Sequence, residues 1–265
     1  MNKIKFIRVL ILGLMISLNQ ILAEDDLQEV VVISSKYPVP LEEVVGSVDS
    51  ISLEDLETRM VSDLGDMLDK TIGVSVSKRN VSGRAYNDGI SIRGLGGKRV
   101  NILIDGIRVA EAYTGYGRDV VDVDLLKRVE ILKGPSSALY GSDGLAGAVS
   151  YITKDPSDLA EFGQNYFSVN TSYDQDNEQT KVGLLAARVG ESLESLIQIT
   201  TRELSQVELH DDATQELDPF DGEQLSILAK FKLSLSDSVG LTLTIDSQEF
   251  EGDYIFNSQG GMSYF

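Results

Sequence analysis

Apolar positions change their rhythm along this chain, and the changes mark its parts. Glu29-Val30-Val31-Val32-Ile33 is a β-branched run closed by Ser34-Ser35 and by the prolines Pro38 and Pro40, which predicts a strand near the start of the mature chain. Two readings of it stand side by side: an exposed strand that another protein captures by strand addition, or an ordinary first strand of the domain downstream. Ser52 precedes a Leu53, Leu56, Met60 spacing with Asp55 three places on, a near capping box that predicts a short helix. Ser62 opens a second, with Leu64, Met67 and Leu68 on one face and Gly73 as its expected end. Val74 and Val76 alternate with Ser75 and Ser77 as a strand. In Val100 to Val109, Asp105-Gly106 separates two apolar strands and supplies the positive φ angles of a two-residue hairpin. A brief helix is expected over Asp122 to Lys127, a strand over Val129 to Leu132 stopped by Gly134-Pro135, and another over Ala146 to Thr153.

The texture changes between Asp155 and Gln164. Beyond it lie long alternating segments: Tyr166 to Tyr173, Val182 to Val189, Leu196 to Thr201, Leu225 to Leu235 and Val239 to Ile245. Polar and apolar positions interleave over about ten residues, which is the pattern of a membrane barrel strand. A soluble sandwich offers a similar pattern with shorter strands.

The amino terminus bears on the compartment. Lys3, Lys5 and Arg8 precede an apolar run from Val9 to Leu18, and Ala23 offers a cleavage point. That is the layout of a secretory signal, and the run is too short to cross ~30 Å of hydrocarbon as an anchor. The formal charge is −19, and cleavage removes three cations and deepens it. Such a field disfavours nucleic acid as a partner. Cysteine is absent, which rules out disulfides and thiolate metal sites. Trp is absent too. No other segment approaches a helical membrane span, so insertion would be by β-barrel.

Several ordered motifs now combine. Ile92-Arg93-Gly94, Val100 to Gly106, Arg128 to Gly134, Pro135, Ala138-Leu139-Tyr140-Gly141 and Gly147 to Lys154 occur in the order seen in the plug of TonB-dependent receptors, and the chain resembles that family. The resemblance implies an outer-membrane importer with no catalytic activity and no cofactor of its own. The implied fold is an α+β plug domain followed by the first antiparallel strands of a truncated transmembrane β-barrel, in a family whose barrels hold about 22 strands. The implied layout is a signal peptide at 1–23, a TonB-box segment and linker at 24–46, the plug at 47–155, and a partial barrel of about five strands at 156–265. Glu29, Val30, Val31, Val32 and Ile33 sit where the TonB box lies. The partners implied are TonB with ExbB and ExbD, and outer-membrane lipid. Arg93 and Lys133 fall where family plugs carry two arginines that bind barrel glutamates, Lys133 being a looser substitute; the alternative is that both are solvated surface charges.

The segments Ser91 to Arg99, Ala110 to Asp119 and Val121 to Lys127 look most like receptors for haem and haem proteins. A ferric-siderophore receptor is the alternative within the family, and a soluble, secreted plug-like binding module the alternative outside it. The single histidine, His210, lies outside the plug, which leaves haem ligands in the missing barrel, Tyr113 or Tyr116 in place of a histidine, or a different substrate; Tyr113, Tyr116 and Arg118 are the candidate substrate-facing residues of the plug loop. Tyr can ligate haem iron, although ordinary loop residues are the plainer reading of this pair. Gly94 to Lys98 lacks phosphate-loop spacing, and Gly141, Gly144 and Gly147 are expected to permit tight turns against a barrel wall. Asp119, Asp122 and Asp124 lack the further oxygens of a Ca²⁺ site, and helix capping by Asp122 explains its position better.

Overall fold

The computed structural model describes residues 30–44, 46–58, 61, 64–68, 70–78, 85–109, 121–174, 178–205, 220–236 and 238–254. The expected signal peptide, Glu29, the loop with Tyr113, Tyr116 and Arg118, and His210 lie outside them.

The first unit is built on a five-stranded mixed sheet. In chain order its strands are β3 (Val48–Ser52), β7 (Val100–Ile104), β8 (Ile107–Arg108), β9 (Leu126–Leu132) and β10 (Gly147–Thr153). Their spatial order is β3-β9-β10-β7-β8. β10 runs parallel to β7 and antiparallel to β9, so it is central and covered on both faces. Ile104 and Ile107 pair across Asp105 and Gly106, whose φ angles of 46° and 79° make the anticipated hairpin turn.

Strand parity divides this sheet into two covered faces. On one, Ile51, Ile102, Val129, Ile131, Val149 and Tyr151 pack under two helices, α1 (Leu53–Thr58) and α2 (Leu64–Leu68), which contribute Leu56, Leu64, Met67 and Leu68. The Ser52 capping box forms as expected: the Asp55 N–H donates to Ser52 Oγ at 3.2 Å, and the Ser52 N–H donates to Asp55 Oδ2 at 3.0 Å. α2 ends at Leu68, five residues before the expected stop at Gly73, which instead turns the chain at φ 77° into β4 (Val74–Lys78). β4 pairs with β5 (Ala85–Ile92), which pairs with β6 (Leu95–Gly96), and Ile90 and Ile92 join the same core.

On the opposite face, Leu103, Leu132 and Ala148 are covered by Ile33 and bordered by Val48 and Tyr140. The cover is therefore the amino-terminal segment itself. Its strand β1 (Val30–Val31) turns back to pair with β2 (Val39–Pro40).

Three glycines expected against a barrel wall lie within this unit instead. A Cβ on Gly147, at φ 155°, would stand 2.0 Å from the Leu132 carbonyl oxygen. One on Gly144 would stand 2.1 Å from Ser136 Oγ. Gly141 closes the short helix α3 (Ser137–Tyr140) at φ 85° beside Arg108.

A second sheet comes next, five antiparallel strands in sequence order: β11 (Asn165–Asp174), β12 (Gln179–Val189), β13 (Leu193–Ser205), β14 (Phe220–Ser236) and β15 (Val239–Tyr254). The observed strands extend the expected segments, reaching 17 residues in β14. Register aligns Val169, Leu184, Ile199, Ile227 and Ser247 as one row, and Phe167, Ala186, Ile197, Ala229 and Ile245 as the next. This face carries exposed Phe167, Val169, Leu184, Ile197, Ile199, Leu243 and Ile245. The other face carries Gln198, Thr200, Arg202, Gln224, Ser226 and Lys230, all buried against the first unit. Apolar outside and polar inside is the reverse of a water-soluble sandwich and is the arrangement of a membrane barrel wall.

Gly147→Ala should lower the stability of the first unit by about 1–3 kcal/mol or more, because the new methyl group overlaps backbone that cannot step aside. A urea titration of the detergent-solubilised chain, followed through protease protection of the first unit, measures the shift in midpoint.

Candidate functional site

Two groups of polar residues hold the amino-terminal segment and the two units together. The first is built on β9, whose alternation sends Val129 and Ile131 to the helical core and Arg128, Glu130 and Leu132 to the other face. Glu130 is fully buried. One of its oxygens, Oε2, accepts from the Val32 N–H at 2.9 Å and the Ile33 N–H at 2.8 Å, while Oε1 accepts from Arg128 Nε at 2.8 Å. The Tyr140 hydroxyl donates to the Ile33 carbonyl at 2.8 Å, and burial together with the Glu130 charge pushes the Tyr140 pKa up, so it stays a donor. Val31 and Ile33 are buried at 0% and 1% exposure. Of the stretch expected to be the TonB box, Val31 to Ile33 is thus docked on the sheet, with the Val32 and Ile33 N–H groups paired to a carboxylate.

The second group is an ionic seam between the units. A 3-10 turn over Val123–Leu125 is capped by Asp122, whose Oδ1 accepts from the Asp124 N–H at 3.0 Å. The other oxygen of Asp122 accepts from Arg202 Nη1 on β13 at 2.5 Å, with both side chains at 2% exposure or less. Arg202 Nη2 bonds Asp124, which also pairs with Lys181 of β12 at 3.0 Å. Gln198 Nε2 donates to the Asp124 carbonyl at 2.9 Å. Further along, Asp155 receives Lys232 at 2.9 Å, Lys127 at 3.0 Å and Lys230 at 3.1 Å. Lys230 also donates to Thr153 Oγ1 at 2.7 Å. Among the described residues a small apolar patch accompanies this, Leu125 and Leu159 against Leu185, Ala187, Leu196 and Leu228.

Burial pushes the Asp122 carboxyl up, but the charge and hydrogen bond of Arg202 outweigh it and hold its pKa below the usual carboxylate value. Asp155 obeys the same logic: burial raises it, while hydrogen bonds from Lys232 and Lys127 and the charge of Lys230 bring it well below the ordinary range.

The basic pair singled out in the sequence sits elsewhere. Lys133 pairs with Asp49 at 2.5 Å and donates to the Ile72 carbonyl at 3.1 Å, both inside the first unit. Arg93 is exposed, with φ 52°. Among the described residues neither meets a glutamate of the strands. The observed seam has the opposite polarity, acids on the plug side and bases on the wall. In the sequence, Asp122 reads only as a cap and Asp124 as its neighbour. A readable signal exists for three of the bases: Arg202, Lys230 and Lys232 share parity with the mostly polar positions of their strands, whereas Lys181 shares it with Leu185, Ala187 and Val189.

Comparison with known proteins fits this geometry. Residues 40–148 match the family model described as TonB-dependent Receptor Plug Domain. The chain is 37% identical over 124 residues to the vitamin B12 transporter BtuB of Vibrio vulnificus (strain CMCP6), covering 47% of this chain and 20% of the relative. It is 29% identical over 239 residues to hemoglobin-binding protein A of Haemophilus influenzae, covering 81% of this chain and 23% of the relative. Residues 40–148 thus carry the plug domain of TonB-dependent receptors, and the chain is similar to members of that family. Among solved structures, the ferripyoverdine receptor of the outer membrane of Pseudomonas aeruginosa superposes with a TM-score of 0.67 at 17% identity, over 84% of this chain and 28% of that one. The siderophore receptor PirA of Acinetobacter baumannii gives 0.62 at 23%, over 77% and 32%. These likenesses establish the fold, a plug followed by the opening strands of a barrel. The chain spans about a fifth to a quarter of the length of these curated relatives. These relatives are outer-membrane receptors and transporters rather than enzymes.

Arg202→Ala should leave Asp122 as a buried carboxylate without its cation and weaken plug docking by about 3–5 kcal/mol. Lys232→Ala, at a partly exposed pair, should cost under about 1 kcal/mol. Protease protection of the plug in outer membranes, measured against urea, separates the two. The seam should also weaken in acid. Asp122 and Asp155 have folded pKa values below the unfolded value of about 3.9, so their stabilisation is complete above pH ~4. It is lost as pH falls through the lowered folded values, and the same assay below pH ~4 reads that loss.

Proposed function

We propose that this chain is the amino-terminal part of an energy-coupled importer that brings haem or haem proteins across the outer membrane. The observation that carries the transport reading is the pairing of an apolar outer face on β11 to β15 with a polar inner face that grips a plug. An importer needs a wall that lipid can wet and a stopper that can be released. Within this reading residues 24–46 are the coupling segment and linker, 47–155 the plug and 156–265 the opening of the barrel.

Gating would arise from the chemistry of the seam. Substrate binds outside, the TonB box passes to the periplasm, and TonB pairs with Val30 to Ile33 edge to edge. Force relayed from ExbB and ExbD then displaces the plug. Water can replace the hydrogen bonds of an ionic seam one at a time, whereas a dry apolar seam would have to part at once. Arg93 and Lys133 are proposed as a further plug–barrel lock, and Tyr113, Tyr116 and Arg118 as plug residues facing substrate.

Haem as cargo is supported by the breadth of one similarity. The likeness to hemoglobin-binding protein A extends through 81% of the chain and so beyond the plug, while the higher identity to the vitamin B12 transporter is confined to 47%. A ferric siderophore is the second reading, favoured by the fold shared with two siderophore receptors. A soluble secreted module is disfavoured by the apolar outer face, which would be a large exposed patch in water.

Val31→Pro should abolish uptake in cells making the full reading frame, because the proline removes a strand donor and fixes φ. Growth on haem as the iron source, compared with growth on a ferric siderophore, tests cargo and coupling together: loss on haem alone supports the haem reading, loss on the siderophore alone the second reading. Unchanged growth on both would reject the TonB-box assignment.

A further inference from the structure

We propose that Glu130 is the latch that keeps the coupling strand docked on the plug until it is withdrawn; this rests on reading Glu29 to Ile33 as the TonB box.

A partner can add a strand to Val30–Ile33 only if the backbone donors of that segment are free. In the docked state two consecutive donors are not. The Val32 and Ile33 N–H groups both point at Glu130 Oε2, at 2.9 and 2.8 Å, from 98 and 97 residues away in the chain. The Ile33 carbonyl is taken by Tyr140 at 2.8 Å. The Ile33 side chain is sealed among Leu103, Leu132 and Ala148. Polar and apolar contacts therefore converge on the same two residues, and strand capture must be preceded by their release.

The carboxylate is suited to this task. It is fully buried, and Arg128 at 2.8 Å from its second oxygen compensates its charge. Both oxygens face donors only. An amide in its place would turn an NH2 group toward either Arg128 or the two backbone N–H groups. The site is also reversible: Val32, Ile33, Arg128 and Tyr140 border an open cleft lined further by Asp105 and Thr244. Water from that cleft can solvate Glu130 and Arg128 once the strand leaves, so release does not strand a charge in a dry interior. Strand exposure is thereby set by an equilibrium that one side chain biases.

The test uses the full reading frame in outer membranes, with any cysteine outside residues 1–265 replaced by serine; these 265 residues have none, so a single introduced thiol is then a specific probe. Ile33→Cys reports release through its rate of reaction with a water-soluble maleimide. Glu130→Gln added to Ile33→Cys should raise that rate about tenfold or more, since a hydrogen bond to a charged group is worth at least that factor. Glu130→Asp, which keeps the charge on a shorter arm, should fall between. Met67→Cys, buried in the core on the opposite face, should react equally slowly with and without the Glu130→Gln change. Unchanged labelling at position 33 overturns the latch. Equal acceleration at position 67 also overturns it, by showing that Glu130 supports the whole plug. Cross-linking of the same Ile33→Cys receptor to the periplasmic domain of TonB separates the two readings. Faster maleimide labelling without more TonB capture would leave the latch standing and remove the TonB-box assignment beneath it.

Discussion

Buried charge has to be matched, and in this chain that requirement joins the second sheet to the plug. β13 and β14 turn Arg202 and Lys230 away from the apolar face and into the interior, where neither can remain without acids close by. Asp122, Asp124, Asp105 and Asp155 supply them. The chain is strongly acidic as a whole, yet the strands place their cations where the plug presents carboxylates. An interface of this kind has directional contacts and little dry area, so it fixes position without a large apolar seal. Such a balance suits a part that must sit in one place and still be removable.

The same strands that meet the wall also meet the coupling segment. Asp122 and Asp124 lie just before β9, and Asp155 lies just after β10. Between those ends, β9 carries Glu130 on the face that receives Val32 and Ile33, and β10 pairs with it directly, Ser150 opposite Glu130. The Lys154 N–H donates to the Leu125 carbonyl at 3.0 Å, tying the two ends together at the seam. The central strand pair is therefore anchored to the wall at one end and occupied by the coupling segment along its length. Its tight packing depends on Gly147, whose missing side chain lets β10 begin against the Leu132 carbonyl. A stiff central pair is a physical route by which a pull on the amino-terminal segment would reach the ionic contacts, since packed strands transmit strain rather than absorb it.

Much of this is legible in the chain itself. The Asp105-Gly106 hairpin, the Ser52 capping box and the alternation of the five long strands are local devices, set by φ preferences, cap geometry and side-chain parity. The plug motifs are legible for the same reason: each is a short contiguous run. Sequence and structure part where the outcome depends on what lies opposite. Gly73 has the residue type of a helix stop, but α2 ends earlier at Leu68. Lys133 occupies a motif position, yet the acid it meets in space is Asp49 on the neighbouring edge of its own unit.

The sequence by itself determined the Asp105-Gly106 hairpin, the Ser52 cap and the alternation of the long strands, because these depend on neighbours a few residues apart. Only the tertiary structure decided that Val30 to Ile33 lies docked, that Glu130 receives its donors, and that Asp122 meets Arg202 across 80 residues. Charge pairing and burial act through space, and no spacing along one chain states which acid will face which base.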